Sequence, residues 1–323
     1  MRILVAGGAG FLGSRLCSQL VRRGHFVYCV DDLSTGRLVN VAALRRSSRF
    51  EFVRRSVLEP LWLPVDVIYN LASPASPVHY QADPERTLRT NVEGTRQLLE
   101  LAEETNGHLI YASTSEVYGD PTEHPQHEDY LGNVNTMGPR SCYDEGKRCA
   151  ETLCYLYRQR GVAASVVRIF NTYGPGMRMD DGRAVSNLLT QALRGEPLTV
   201  YGDGSQTRSF CYVDDMVDAL CRLLGHPSGL EGPLNLGNPE EVTVLALANL
   251  VLALTGSKST IAFRPLPVDD PARRCPDVSR AKRLLGWAPG TPLREGLHKT
   301  MRYFRRELQD QDGRSSESTA IVA

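Results

Sequence analysis

Arg2 is followed by an unbroken apolar run, Ile3-Leu-Val-Ala6, which stops at a pair of glycines. A run this short, ended by glycine, reads as a strand buried on both faces, Arg2 to Ala6. The period then changes. Phe11, Leu12, Leu16, Leu20 and Val21 recur at helical spacing as far as Arg23, and Gly24 ends the helix. Phe26 to Val30 gives the next strand, closed by Asp31 and Asp32, and Phe50 to Arg54 and Val65 to Leu71 follow as further strands. Asp83-Pro84-Glu85 is a helix start, an N-cap residue followed by proline and an acid in the first turn. That helix is predicted to reach Glu104 and to bury Leu88, Val92, Leu98, Leu99 and Ala102. His108 to Ala112 is then a strand, Ser141 to Arg160 a helix and Ala163 to Ile169 a strand.

Strands and helices alternating in this order imply right-handed crossovers and an α/β fold built on a doubly wound parallel sheet. Beyond Gly174 the rhythm loosens, with helices predicted near 184–194, 215–224, 243–255, 279–285 and 293–308. Residues 1–174 are read as the parallel-sheet domain. Residues 175–309 are read mainly as a smaller C-terminal substrate-binding lobe over the carboxyl edge of the sheet, with room for segments that return to the first domain. Polar residues dominate from Asp310, and 310–323 is expected to be a disordered tail.

Of 323 residues, 41% are hydrophobic and 23% charged, the makeup of an ordinary globular protein. Lys+Arg and Asp+Glu both number 37, and a formal charge of +0 gives no global field to draw in nucleic acid or an anionic membrane. An anionic substrate must then meet positive charge placed locally. The longest apolar stretch, Val242 to Leu254, is interrupted by Thr243 and Asn249 and is too short to span a bilayer. With the first strand starting at Arg2, no secretory leader is expected. Eight cysteines without any Cys-x-x-Cys point to reduced thiols and a cytoplasmic protein. His124 and His127 lie in a proline-containing loop with no cysteine beside them, so they are read as loop residues and no metal is expected.

Chemistry enters at the first turn. Gly7-Gly8-Ala9-Gly10-Phe11-Leu12-Gly13 joins the first strand to the first helix. Gly7, Gly10 and Gly13 permit a tight turn, close approach of backbone to a pyrophosphate, and close packing of helix on strand. The helix start then offers N–H groups and a positive dipole end to phosphates. Asp31 lies 18 residues beyond the last of these glycines and closes the second strand. A carboxylate there accepts both ribose hydroxyls and repels a 2′-phosphate, so a Rossmann domain binding NAD rather than NADP is predicted. Arg37 is close enough in sequence to soften that preference, or it is a solvated loop cation. The cofactor shell is expected to comprise Gly7, Gly10, Phe11, Leu12, Gly13, Asp31, Asp32, Thr35, Gly36, Leu71, Ser73 and Thr90, together with Tyr143 and Lys147.

Tyr143 and Lys147 are four apart on a predicted helix and share a face at about 6 Å. A lysine beside a phenol favours phenolate and lowers a pKa that is ordinarily about 10. Tyr143 can then accept a hydroxyl proton near neutral pH while a hydride leaves to NAD. The pair follows a strand that ends in Ser113-Thr114-Ser115-Glu116, where Thr114 can hydrogen-bond the same hydroxyl.

The glycine pattern, Asp31, the Ser-Thr-Ser run and the Tyr/Lys pair resemble the extended short-chain dehydrogenase/reductase superfamily over roughly residues 1 to 308. Within it the chain looks most like the UDP-glucuronate decarboxylases (UDP-xylose synthases). The segments that carry this are Leu71-Ala-Ser-Pro-Ala-Ser-Pro77, Ser113-Thr-Ser-Glu-Val-Tyr-Gly-Asp-Pro121, Cys142-Tyr-Asp-Glu-Gly-Lys-Arg148, Asp181-Gly-Arg-Ala-Val-Ser-Asn187, Tyr201-Gly-Asp-Gly-Ser-Gln-Thr-Arg208 and Asp269-Asp-Pro-Ala-Arg-Arg-Cys-Pro-Asp277. Cys275 departs from it, standing where a basic residue is common. The resemblance implies UDP-glucuronate as substrate, NAD recycled within each turnover, and UDP-xylose as product. It makes Glu116 a catalytic carboxylate, Ser115 its polar neighbour and Arg274 the arginine near the sugar carboxylate. Asn171, Arg183, Asn187, Tyr201 and Arg208 would hold the rest of the UDP-sugar, arginine being suited to bidentate phosphate contacts.

Rival readings are separated by particular residues. The dTDP-glucose 4,6-dehydratases carry Asp-Glu after the threonine, and Ser115 cannot supply that acid. GDP-mannose dehydratases share Ser-Glu but use NADP, against which Asp31 argues. Epimerases typically lack an acid at the position of Glu116. A non-catalytic dinucleotide sensor would ordinarily have lost Tyr143 or Lys147. The resemblance also implies a homodimer packed through the helices at 84–104 and 141–160, with Cys149, Leu153, Leu156 and Tyr157 available for the seam.

Overall fold

The computed structural model describes residues 1–267, 271 and 273–320, with side chains through 311. Alternation along the first strand organises the molecule. In β1 (Arg2–Ala6) the side chains of Ile3 and Val5 enter one core and those of Leu4 and Ala6 the other, all without exposure. A strand buried on both faces needs helices on both. The chain supplies them through α1 (Phe11–Arg22), β2 (Phe26–Asp31), β3 (Phe50–Arg54), β4 (Val67–Asn70), α2 (Pro77–Tyr80), α3 (Pro84–Thr105), β5 (His108–Thr114), α4 (Ser141–Gln159) and β6 (Ala163–Ile169).

The second half contains β7 (Thr172–Tyr173), α5 (Ala184–Arg194), β8 (Leu198–Tyr201), β9 (Thr207–Ser209), β10 (Cys211–Tyr212), α6 (Val213–Arg222), β11 (Pro233–Leu236), β12 (Glu241–Thr243), α7 (Val244–Thr255), β13 (Ile261–Arg264), β14 (Arg273–Arg274), α8 (Ser279–Leu285) and α9 (Leu293–Ala320). The main sheet has seven strands in the order β11-β6-β5-β4-β1-β2-β3. Every pairing in it is parallel. The doubly wound sheet expected from the sequence is present, and its seventh strand, β11, returns from the C-terminal half to sit beside β6. Helices α1 and α6 pack together over one face, and α3 and α4 over the other. Three small sheets, β12-β9-β14, β10-β7 and β13-β8, lie in the second half.

Several boundaries differ from the sequence reading for local reasons. β5 extends to Thr114 because Ala112, Ser113 and Thr114 stay in register with Val167, Arg168 and Ile169 of β6. β4 is shorter than 65–71, since Asp66 turns its carboxylate to the Arg2 N–H. Leu88 is 41% exposed rather than buried. Leu98, Leu99 and Ala102 are buried as expected, while the first half of the inner face is formed by Thr87, Asn91, Gly94 and Thr95, with Val92 only partly buried. The last helix does not stop near 308 but continues through Ala320. Residues 310–320, expected from their polarity to form a tail, follow without proline on a run of strong helix formers. Residues 321–323 of the expected tail lie outside the described residues, as do 269, 270 and 272 of the last family-like segment.

The docking of α9 on the second half depends on one glycine. A Cβ added at Gly296 would lie 2.1 Å from the Tyr173 hydroxyl, which itself donates to Leu293 O at 3.2 Å. Gly296→Ala is expected to cost about 1–3 kcal/mol through overpacking, measured by urea unfolding. A change within about 0.5 kcal/mol, the range of ordinary surface substitutions, would show that this contact yields easily.

Candidate active site

The loops after β1, β2, β4, β5 and β6 all leave the carboxyl edge of the sheet, where ligands bind in folds of this class. They open onto a cavity of about 750 Å³, which also takes side chains from α4, α5, β8, β9 and β14. Its walls bring together every residue expected from the sequence to form the site except Gly36.

At one end lies the glycine turn. A Cβ at Gly7 would meet the Leu71 carbonyl at 2.8 Å, and one at Gly13 would fall 2.1 Å from Gly7 O. Side chains are therefore excluded where a flat or charged group must approach the backbone. Gly10 at the N-cap of α1 receives no side-chain hydrogen bond, which leaves the helix start available to an anion. Asp31 is held in place by the N–H groups of Ala9 (2.9 Å) and Leu33 (2.8 Å). Gly36 sits behind this carboxylate rather than in the cavity wall; a Cβ there would be 2.7 Å from Asp31 Oδ1. Arg37 turns away, toward Tyr303 (3.4 Å) and Glu307 (3.5 Å) of α9, so it does not offset Asp31. Arg86 of α3 meets Asp32 at 2.8 Å. Thr35, Leu71, Ser73 and Thr90 complete this end, together with Phe11 and Leu12. The cradle fits an adenine dinucleotide with free ribose hydroxyls, that is, NAD.

At the other end Tyr143 is buried, hydrogen-bonded to Thr114, and stacked on Tyr80 with ring centroids 5.0 Å apart at 7°. Lys147 Nζ donates to Ala112 O at 2.7 Å and lies 5.8 Å from the Tyr143 ring centroid. Burial pushes the Lys147 ammonium down to about 7. The expectation that lysine lowers the tyrosine pKa is not met within the chain alone. Burial raises it, the hydrogen bond from Thr114 opposes the rise, and Glu116 adds to it. Lysine's proton is directed to a carbonyl instead of the phenol.

Glu116, in the turn after β5, receives both Arg274 and Arg140. Arg274 Nη2 donates at 2.9 Å and its Nη1 forms a second bond, while Arg140 Nη2 bonds the same carboxylate. Burial works to raise the Glu116 pKa, but the two guanidinium groups outweigh it and hold the carboxyl down to about 2. Ser115 is buried beside it. In the β12-β9-β14 sheet Arg274 is paired in register with Arg208, and both are buried, not surface salt-bridge residues. Arg208 donates to Thr207 O at 2.8 Å. Arg183, at the N-cap of α5, pairs with Asp181 at 2.5 Å, and Asn187 donates to Gly182 O at 3.0 Å. Asn171 and the half-exposed Tyr201 line the same wall.

The family described as NAD dependent epimerase/dehydratase matches residues 3–237. The chain belongs to it. Among its relatives is UDP-glucuronic acid decarboxylase 1 of Danio rerio, 55% identical over 96% of this chain and 74% of that protein. UDP-glucuronic acid decarboxylase 1 of Arabidopsis thaliana is 52% identical over 97% of this chain and 72% of that protein. Among solved structures, UDP-glucuronic acid 4-epimerase from Bacillus cereus in complex with UDP-glucuronic acid and NAD gives a TM-score of 0.87 at 31% identity, covering 95% of this chain and 99% of that one.

Three residues at this family member's site were missed in the sequence. Arg140 stands at the N-cap of α4, where a cation opposes the helix dipole; that unfavourable placement, three residues before Tyr143, was the signal. Asp144 is buried with Oδ1 lacking a hydrogen-bond partner, and burial together with Glu116 pushes it up to about 7. It lines a second cavity of about 190 Å³ with Glu116, Arg140 and Arg274. Tyr80 carried no signal, since stacking across separate helices has no sequence period. Removing one cation from Glu116 favours its protonated form. Arg140→Gln is therefore expected to move the Glu116 carboxyl upward from about 2, read by carboxyl ¹³C chemical shift against pH; an unmoved midpoint would mean Arg140 contributes no net field there.

Proposed function

We propose that this chain is an NAD-dependent UDP-glucuronate decarboxylase that forms UDP-xylose through a UDP-4-keto intermediate. The observation that carries the reading is the Glu116–Arg274–Arg140 cluster in the same cavity as Tyr143 and Thr114. Simple alcohol oxidation needs only the tyrosine and lysine. A buried, ionised carboxylate held by two arginines suits a substrate with a carboxylate of its own, and relatives at above half identity bear the corresponding name.

NAD, when bound, supplies the hydride acceptor for C4 and a positive ring charge that favours phenolate at Tyr143. Tyr143 Oη takes the C4 hydroxyl proton while Thr114 holds the hydroxyl in line. Lys147 fixes the end of β5 through Ala112 O. Arg274 turns part of its guanidinium to the C6 carboxylate, and Glu116 keeps the remainder oriented. Because Glu116 stays ionised, it repels charge at C6 and favours its transfer onto the C4 oxygen as CO₂ departs. Tyr143 lies where that oxygen collects charge, and Ser115 and Arg274 border the face on which C5 regains a proton. Arg183, Asn187, Tyr201 and Arg208, within a substrate lobe of 175–309, position the UDP and sugar together with Asn171 from the end of the first domain.

The chain is further read as a homodimer that joins through α3 and α4. Leu88, Tyr155 and Leu156 are exposed there beside Cys149. Of the other two residues available for the seam, Tyr157 is buried in the second core and Leu153 packs partly against it. The partnership needs no nucleic acid and no membrane. No helix among the described residues is long and apolar enough to cross one. Eight free cysteines fit a cytoplasmic setting. A monomer at micromolar concentration in equilibrium sedimentation would exclude the dimer.

Incubation with UDP-glucuronate and NAD⁺, followed by CO₂ release and NMR of the sugar nucleotide, tests the activity. UDP-xylose and CO₂ are expected; UDP-galacturonate with C6 retained would make the chain a 4-epimerase. Tyr143→Phe is expected to lower kcat by about 10²-fold or more. Glu116→Gln should lose decarboxylation, and Arg274→Ala should lose turnover of the carboxylated substrate. Full activity in either would remove that residue from the mechanism.

A further inference from the structure

His124 and His127 were weighed as metal ligands and set aside because no cysteine lies near them in sequence. Folding changes that for one of them. His127 turns to Glu123 at 2.7 Å, an exposed pair within its own loop. His124 instead reaches Glu241 of β12, with Nε2 2.9 Å from Oε2, and the buried thiol of Cys275 joins them. The three donor atoms all lie within 4.8 Å of one another.

We propose that His124 Nε2, Glu241 Oε2 and Cys275 Sγ form a site for one divalent zinc-like cation, with water as the fourth ligand. Imidazole, carboxylate and thiolate are all ligand types that zinc accepts, and three protein ligands plus water is a standard coordination for it. A neutral imidazole with two anionic ligands balances the charge of the ion. At ordinary bond lengths tetrahedral zinc sets its donors roughly 3.3–3.8 Å apart, so modest side-chain rotations complete the geometry. On binding, Cys275 releases its proton to solvent, giving up the hydrogen bond it donates to Pro239 O at 3.3 Å, and the His124–Glu241 contact gives way to two metal bonds.

The supports of the ligands are already in place, as an orienting shell requires. Thr207 Oγ1 donates to the other oxygen of Glu241 at 2.5 Å, fixing the carboxylate plane. Gln126 is fully buried and straps the histidine loop to the cysteine segment. Its N–H donates to Cys275 O at 2.8 Å, its Oε1 accepts from Cys275 N at 2.8 Å, and its carbonyl accepts from Asp277 N at 2.8 Å. The site also lies against the chemistry. Cys275 follows Arg274, and Glu241 is on the strand paired to β9, which carries Arg208. A metal here would tie β12 and the end of β14, which flank β9, to the loop at 123–127 and stiffen the seat of both arginines.

The test uses the full chain, stripped with chelator and titrated with ZnCl₂ alone by calorimetry, with thermal unfolding in parallel. One zinc per chain with proton release and a raised Tm is expected, and Co²⁺ in its place should give a thiolate charge-transfer band. Cys275→Ser should lose that band, and both Cys275→Ser and His124→Gln should weaken zinc binding by at least about tenfold. His124 is partly exposed, so its variant decides the matter if the cysteine variant fails to fold. No zinc bound by the wild-type chain, or equal binding by His124→Gln, would overturn the proposal.

Discussion

Glu116 closes the turn after β5 and Arg274 lies on a two-residue strand 158 positions later, yet their side chains meet as a two-bond pair at the bottom of the cavity. Arg140, from the start of α4, joins the same carboxylate. Three segments with no backbone pairing to one another are thereby fixed at one point. Taking such charges out of water costs several kcal/mol per ion before their attraction offsets it, and apolar packing would hold the segments at less cost. The cluster is better explained by the proposed chemistry than by stability, as a ready-made anion clamp beside Tyr143.

The clamp also changes what the tyrosine can be. On its own, the helical Tyr143/Lys147 spacing describes an oxidoreductase, with a ketone as product. In the proposed reaction an ionised carboxylate and two guanidinium groups in the same cavity make the ketone an electron sink within one turnover. Burial pushes the Tyr143 phenol pKa up in the bare chain, so in the proposed reaction the cofactor's positive ring charge must favour the phenolate.

How much of this was legible depended on whether the signal was local. The glycine turn, Asp31 and the Tyr/Lys helix are short-range patterns tied to strand and helix periods, and the fold keeps them where the spacing puts them. Six of the seven parallel strands follow from apolar runs alternating with amphipathic segments, whereas the return of β11 to the edge of the sheet has no local mark. The roles of Glu116 and Arg274 came from family resemblance, since no periodicity links positions so far apart. Arg140 had a faint signal in its unfavourable helix position. Tyr80 over Tyr143 and Cys275 beside His124 had none, because each joins segments whose meeting only the tertiary fold decides. The direction of the tyrosine pKa was misjudged for the same reason: spacing gives the neighbour but not the burial or the carbonyl that captures the lysine.

The central claim is that oxidation at C4 is transient and serves loss of C6. It is tested most directly by isotope placement in single reactions. UDP-glucuronate deuterated at C4, turned over in ordinary water, should give UDP-xylose that keeps deuterium at C4. Unlabelled substrate in D₂O should give UDP-xylose with one deuterium at C5. Loss of the C4 label to solvent, or a product still carrying C6, would contradict the account.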